Sequence, residues 1–333
     1  MTVDAGLGNR KLVTISIPVL NEQGNIDHLL DRLHGMAKQN AGYDFEFLFT
    51  DNASTDGTFE KLAEKAAVDR RIRVLRFSRN FGFQRSILTN LLNARGAAAI
   101  QIDADLQDPP ELITDFLAKW EMGYKVVYGM RRHRPEHWML RLARGFHYRM
   151  IGVLSEVEVP RHAGDFRLVD RIIIEHLRSY VDQTPYLRGI IASLGYPQIG
   201  IPYDRVARAI GHSKFNLAKL IALSFDGICS QSTKPLHYIT VFGFLTSIVV
   251  AIMVVVYLLI FFFSSYDLPP GFTTLALLML TSIGINAAFV GLIGEYIGRL
   301  YNNVRGGPLT VIADRIEQPA AAHQSEAARE RVQ

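Results

Sequence analysis

Asp103-Ala104-Asp105 closes the apolar run Ala97-Ala98-Ala99-Ile100-Gln101-Ile102. Two carboxylates two residues apart, where a buried strand runs out, can both reach one hard divalent cation. In an open α/β sheet, ligands sit beyond the carboxyl ends of the strands. The pair therefore points to a metal-bound diphosphate at a strand end. An Asp-x-Asp on its own is also a common solvated turn, so its surroundings decide. Leu106-Gln107-Asp108-Pro109-Pro110 follows, and proline just inside a helix start marks an N-terminus. Asp51, where a second apolar run ends, is placed to accept from a base or ribose donor, whereas Asp56 in Asp56-Gly57 reads as a helix cap.

The elements that would position these groups alternate along the chain. Strands are expected at Leu12–Pro18, Phe45–Thr50, Ile72–Phe77, Ala98–Ile102 and Lys125–Tyr128. Helices are expected at Asn25–Lys38, Phe59–Val68, Arg85–Ala94 and Glu111–Glu121. In the first of these, Ile26, Leu29, Leu30, Leu33 and Met36 share one face. Strand–helix alternation at this interval means βαβ units and a mostly parallel sheet. The stretches 1–10 and 318–333 lack an apolar face and read as disordered tails.

Charged residues make up 20% of the 333 and the net charge is only +4, so no nucleic-acid partner is expected. Cys229 is the single cysteine, which excludes an intrachain disulfide and a cysteine zinc site. Residues 1–10 have no apolar core, so no cleavable signal is expected. Ile239–Phe263 and Phe272–Ile293 are uncharged apolar runs long enough to cross a bilayer. They read as a transmembrane hairpin with helices at 237–264 and 271–298. Lys234, Arg299 and Arg305 flank it, while the connector has no Lys or Arg. Both termini and the catalytic part are then cytoplasmic. Segments around Trp138–Leu154 and Leu217–Ile228 have apolar faces flanked by Arg or Lys and read as helices lying on the bilayer. The expected domains are 11–212 for the globular part, 213–236 for juxtamembrane helices and 299–317 for a cytoplasmic C-terminal segment.

Ile17-Pro18-Val19-Leu20-Asn21-Glu22, Asp51-Asn52-Ala53-Ser54-Thr55-Asp56-Gly57-Thr58, Ser78-Arg79-Asn80-Phe81-Gly82 and the Asp103–Pro110 stretch occur in an order and spacing that resemble glycosyltransferase family 2. Gly164-Asp165-Phe166-Arg167-Leu168, Gly211-His212-Ser213-Lys214-Phe215 and the two apolar runs look like its polyprenyl-phosphate branch, which includes dolichyl-phosphate mannose synthases and bactoprenol glucosyltransferases. The resemblance spans about residues 12 to 312. It implies a GT-A fold: an α/β, Rossmann-like, mostly parallel sheet with interface helices and the hairpin. It implies that Pro18, Leu20, Glu22, Asp51 and Asp103 bind the nucleotide. It further implies that Asp103, Asp105 and Gln107 hold Mg²⁺ or Mn²⁺, and that Asp165 and Asp105 are catalytic. Leu20 stands where the family often has an aromatic residue, Asn52 where a second Asp is frequent, and His212 where Arg is common.

A lipid phosphate monoester has a second pKa near 6 and needs little help from a base. It needs positive charge to hold it in line. Arg131, Arg134, Arg208 and Lys214 are the candidates for that contact, with Arg132 read as surface. Asp165 is then expected to orient the acceptor or sugar hydroxyls more than to remove a proton, although an ion pair with Arg167 or another arginine is the plainer reading. The activity expected is inverting transfer of one sugar, UDP-glucose-type, to a polyprenyl phosphate at the cytoplasmic membrane face. A GDP-mannose-dependent synthase is the alternative, and a scaffold with a dead transferase domain is the alternative of another class. A processive synthase would carry Gln-x-x-Arg-Trp, which is absent. The expected partners are a nucleotide sugar, a polyprenyl phosphate, the bilayer and further copies of the chain, since some relatives are tetramers.

Overall fold

A computed structural model describes residues 10–131, 163–180, 185–204, 234–263 and 271–317. These fall in two compact units, one within Met1–Leu142, Val159–Phe215 and Gly307–Gln333, the other within Ala143–Glu158 and Asn216–Gly306.

The first unit is one eight-stranded sheet with helices packed on it. The strands are β1 (Lys11–Val19), β2 (Tyr43–Asp51), β3 (Ile72–Phe77), β4 (Ala98–Gln101), β5 (Val126–Arg131), β6 (Ala163–Asp170), β7 (Gln198–Tyr203) and β8 (Ile312–Ile316). The helices are α1 (Ile26–Gln39), α2 (Thr58–Val68), α3 (Phe83–Asn93), α4 (Ile113–Glu121), α5 (Arg171–Arg178) and α6 (Leu187–Ser193). Strand order is β7-β5-β6-β4-β1-β2-β3-β8. The pairs β1–β2, β1–β4, β2–β3 and β5–β7 are parallel, whereas β4–β6, β5–β6 and β3–β8 are antiparallel.

β1 lies between β2 and β4 and is buried on both sides from Val13 to Val19. A central strand of this kind needs apolar residues on both faces. Thr14 and Ser16 are tolerated because each hydroxyl has a partner, Thr14 donating to Glu46 and Ser16 to Gln101 at 2.7 Å. On one face of the sheet Ile15, Ile17, Phe47, Phe49, Ile100 and Phe166 pack with α1 and α4. On the other, Ala99, Val126 and Val169 pack with α3, α5 and α6.

Gly96 precedes β4 where β1 passes close by. A Cβ there would stand 2.6 Å from the carbonyl oxygen of Ala98, 2.7 Å from the amide of Thr14 and 2.9 Å from the carbonyl oxygen of Leu12. All three are backbone atoms and cannot swing aside. Gly96→Ala is expected to destabilise the unit by about 1–3 kcal/mol, the usual cost of overpacking. Thermal unfolding against Gly35→Ala, whose Cβ would meet nothing within 4 Å, measures it.

The five strands expected from sequence are present within one to three residues of their limits. Three further strands were not foreseen. β6 enters antiparallel between β4 and β5, β7 pairs beyond β5, and β8 adds antiparallel to the β3 edge. The segment 299–317, expected as a C-terminal segment without a strand, contains β8 of the sheet. The helix expected at Glu111–Glu121 opens as a 3-10 turn over Pro110–Leu112. Proline has no N–H to give and sets the backbone for that first turn.

The second unit contains two long helices, α7 (Lys234–Phe263) and α8 (Phe272–Arg305), which touch through the rings of Phe242 and Phe289. At 30 and 34 residues they are about 45 and 51 Å long by helical rise. Among the described residues, Thr281–Arg305 is the one helical stretch that is long and apolar enough to cross a membrane. The expected interface helices around Trp138–Leu154 and Leu217–Ile228 lie outside the described residues.

Candidate active site

Two features of β1 open a crevice at its carboxyl end. From β1 the chain proceeds to β2 and β3 on one side, then returns to place β4 on the other. This reversal is where open α/β sheets bind ligands. The ladder between β1 and β4 also stops there. Ser16 pairs with Gln101 and the amide of Ile102 donates to the carbonyl of Ser16 at 3.0 Å. The next bond would need an N–H from residue 18, which is proline.

On the β2 side, Asp51 is fully buried. Its Oδ1 accepts the amide of Ser54 at 3.0 Å, and its Oδ2 lies 3.4 Å from Nε of Arg76 without a hydrogen bond. Asn21, with φ of 57°, accepts from the amide of Thr55 at 2.8 Å, locking the β1 loop to the β2 loop. Glu22 accepts from Asn25 at 2.6 Å, and Leu20 is exposed. Asp56 accepts from the amides of Thr58 and Gln23, which holds the start of α2.

On the β4 side, the antiparallel register decides the geometry. Ala99 lies opposite Val169 and Gln101 opposite Arg167. Continued for two residues, that register carries Asp103 level with Asp165. Asp103 is half-buried, with Oδ1 sealed from solvent and lacking a hydrogen bond. Burial, followed by the charges of Asp108, Asp165 and Asp105, pushes it up to about 7, against the pull of Arg131. Asp105 is buried and its Oδ1 accepts the amide of Gln107 at 3.2 Å.

β6 alternates across the sheet, so Asp165 and Arg167 share the face that α6 covers while Phe166 and Leu168 enter the opposite core. Arg188 on α6 grips Asp165 with two hydrogen bonds, Nε at 2.8 Å and Nη2 at 2.7 Å. Arg167 stands 4.0 Å away. Burial by itself would raise Asp165, but Arg188, then Arg167 and Arg131, hold it at about 2. On the other face, Arg131 at the end of β5 donates from Nε to the hydroxyl of Tyr203 at 3.2 Å, with Nη2 3.6 Å from Asp108. Arg131 also lies over Gly164, where a Cβ would come within 3.3 Å of its Nη2.

The amino-acid pattern of residues 14–178 matches the model for glycosyl transferase family 2. An uncharacterized glycosyltransferase of Bacillus subtilis, YkcC, is 35% identical over 300 residues, covering 90% of this chain and 92% of the relative. The chain belongs to glycosyltransferase family 2. A prophage-derived bactoprenol glucosyl transferase of Shigella flexneri is 30% identical to this transferase over 90% of the chain and 97% of the relative. The mannosyltransferase PcManGT of Pyrobaculum calidifontis, solved with GDP-Man and Mn²⁺, is 17% identical, with a TM-score of 0.45 over 97% of this chain and 81% of that one.

The sheet of this transferase thus brings Asp51, Asp103, Asp105, Asp165 and Arg131 to the edge where its parallel strands end. Pro18, Leu20, Glu22 and Gln107 lie in the strand end and loops around them. Arg134, Arg208 and Lys214, with Arg132 and His212, lie outside the described residues. Sequence reading missed Arg188, Asp108 as a buried charge, and Tyr203. The Pro109-Pro110 pair hinted that Asp108 was fixed in a helix-start loop. No local pattern marked Arg188 or Tyr203, which reach the site through the fold.

Proposed function

We propose that this transferase moves a single glucose-type sugar from UDP-sugar to a polyprenyl phosphate at the cytoplasmic membrane face, with inversion at the anomeric carbon. The observation that carries the reading is the opposition at one sheet edge. Asp103 and Asp105 cluster with Asp108, which Arg131 approaches at 3.6 Å, and the Arg188–Asp165 pair lies between β6 and α6. A diphosphate leaving group and an anionic acceptor need these two kinds of charge side by side.

The donor side fits a divalent cation. Asp103 has a sealed, partnerless oxygen amid three further carboxylates, a field that a cation relieves. Among the described residues no group of three or more His, Cys, Asp or Glu side chains is arranged for a metal. Mg²⁺ and Mn²⁺ bind through one or two carboxylates plus substrate phosphates. Asp103, Asp105 and the side-chain carbonyl oxygen of Gln107 would hold the ion, which would neutralise the departing nucleoside diphosphate. Asp51, Glu22 and the backbone around Pro18 and Leu20 cradle the nucleoside. Asp105 would serve the reaction through the ion it helps hold. Arg131, Arg134, Arg208 and Lys214 hold the acceptor phosphate, and Asp165 orients the acceptor or the sugar.

α7 and α8 form the membrane hairpin in this reading, spanning 237–264 and 271–298 with both termini cytoplasmic, and copies of the chain assemble as a homo-oligomer. The relatives named as bactoprenol glucosyl transferases support the lipid acceptor and the sugar. The test uses the full chain in membranes with labelled UDP-glucose, undecaprenyl phosphate and Mg²⁺ or Mn²⁺. The expected product is polyprenyl-phospho-glucose with release of UDP. Excess chelator is expected to stop turnover, and Asp103→Ala or Asp105→Ala to lower it by roughly 10²- to 10³-fold or more. Unchanged turnover in chelator would defeat the metal reading. Absence of UDP release with any nucleotide sugar would leave a scaffold.

A further inference from the structure

We infer that Tyr203 is a positioning residue for the acidic loop. Its hydroxyl holds Asp108, and Asp108 in turn fixes the segment that carries Asp103 and Asp105. The inference rests on the cation-diphosphate reading of that loop.

Tyr203 ends β7 and is buried. Its hydroxyl donates to Oδ1 of Asp108 and accepts from Nε of Arg131 at 3.2 Å. Arg131 closes the figure, with Nη2 3.6 Å from Oδ2 of Asp108. The ends of β5 and β7 and the loop after β4 are thereby tied at one point. Burial, with the Asp108 charge beside it, pushes the tyrosine up to about 12, so the hydroxyl keeps its proton to donate.

The ring is aimed as well as bonded. Phe166 meets it edge-on at 6.0 Å. Below it, β5 has Gly129, where a Cβ would stand 2.6 Å from Cε1 of Tyr203. Any larger residue at 129 would displace the ring. The loop also needs holding. Leu106, between Asp105 and Asp108, has φ of 57°, a left-handed conformation that a leucine adopts only when its surroundings impose it. The Tyr203–Asp108–Arg131 knot fastens the loop two residues beyond that point.

The arrangement resembles an outer shell in which partners of the ligating segment, not the ligands, set the geometry. Loss of the hydroxyl removes one of the bonds that hold Asp108 without emptying the space the ring fills. The expected effect is on cation binding, not on the fold.

The experiment measures Mn²⁺ binding to the full-length protein in detergent, in the presence of UDP, from the electron paramagnetic resonance signal of free Mn²⁺. Tyr203→Phe is expected to bind Mn²⁺ about 10-fold more weakly than the wild type, the usual cost of an outer-shell change. The Mn²⁺ concentration for half-maximal turnover should rise by the same factor, in a protein that stays folded with a melting temperature lowered only by the loss of one buried hydrogen bond. Asp108→Asn should reproduce the effect, and the double variant should add little to either. Tyr43→Phe, which removes a hydroxyl bonded to Glu121 at 3.0 Å at the far end of β2, should bind as the wild type does. Equal Mn²⁺ affinity in Tyr203→Phe and wild type would overturn the inference. Unfolding of both Tyr203→Phe and Asp108→Asn would also overturn it, making the knot a structural one. If the wild type itself fails to bind Mn²⁺ with UDP, the cation reading of the loop falls, and the inference with it.

Discussion

Asp165→Asn is expected to lower kcat/KM by roughly 10²-fold while leaving the acid limb of the pH–rate profile in place. The reason lies in the two hydrogen bonds from Arg188 and the nearby Arg167. A carboxylate held at about 2 by these arginines is a weak base at neutral pH. Both oxygens already accept from Arg188. A phosphate monoester, with a second pKa near 6, arrives mostly dianionic and needs no base. The acid limb then belongs to the acceptor and survives the substitution. What the Asn variant loses is the negative charge that keeps Arg188 and Arg167 in place. Arg188→Ala should therefore cost nearly as much, and the double variant little more than either alone. Loss of the acid limb in Asp165→Asn would show instead that this carboxylate takes a proton during turnover.

The elements that sequence revealed were those whose burial imposes a pattern. β1 and β4 are largely apolar because both faces of a central strand are covered, while β2, β3 and β5 keep enough buried apolar residues around Glu46, Arg73, Arg76 and Gly129 to be seen. β6 was read only as a motif, since Asp165 and Arg167 interrupt its apolar residues. Their face is polar because it meets Arg188, a fact no local pattern carries. β7 contains Gly200 and Pro202, residues that argue against a strand interior. It survives at the sheet edge, where a proline without an N–H leaves no ladder bond unmade. β8 is short and largely exposed, so it has no apolar signature at all. The same distinction applies to the site. Asp103 and Asp105 were legible because one strand end displays both. Asp165 came only from resemblance, since a register across β4 and β6 brings it level with Asp103. Tyr203 and Arg188 come from other strands and helices, and sequence spacing does not encode those approaches.

Glu46→Ala is expected to be among the most destabilising single changes outside the active site, at about 3–5 kcal/mol. Glu46 is buried in β2 and accepts from three directions. Oε1 takes the hydroxyl of Thr14 and the amide of Arg95 at 2.7 Å, and Oε2 takes Nη1 of Arg73 at 3.0 Å. Arg73 is 6% exposed, so removing the carboxylate takes away its buried counter-charge and leaves Nη1 only the carbonyl of Asn93 at 3.1 Å. Its Nη2 still meets Glu317 at 2.9 Å, just past β8, and Glu317 also takes Arg95 at 2.8 Å. That second carboxylate is partly exposed and can be replaced by water. Glu317→Ala should then cost roughly 1 kcal/mol, the range of a solvent-accessible pair. The same cut should loosen β8, whose outward face has few other ties, and denaturant unfolding together with limited proteolysis after residue 306 would separate the two effects. Equal losses for Glu46→Ala and Glu317→Ala would mean that water reaches Arg73 and that the cluster does not bind β1, β2 and β3 into one unit. The ordering follows from geometry, because three donors converge on the buried Glu46 from β1, β3 and the loop before β4, whereas the partly exposed Glu317 meets the side chains of Arg73 and Arg95.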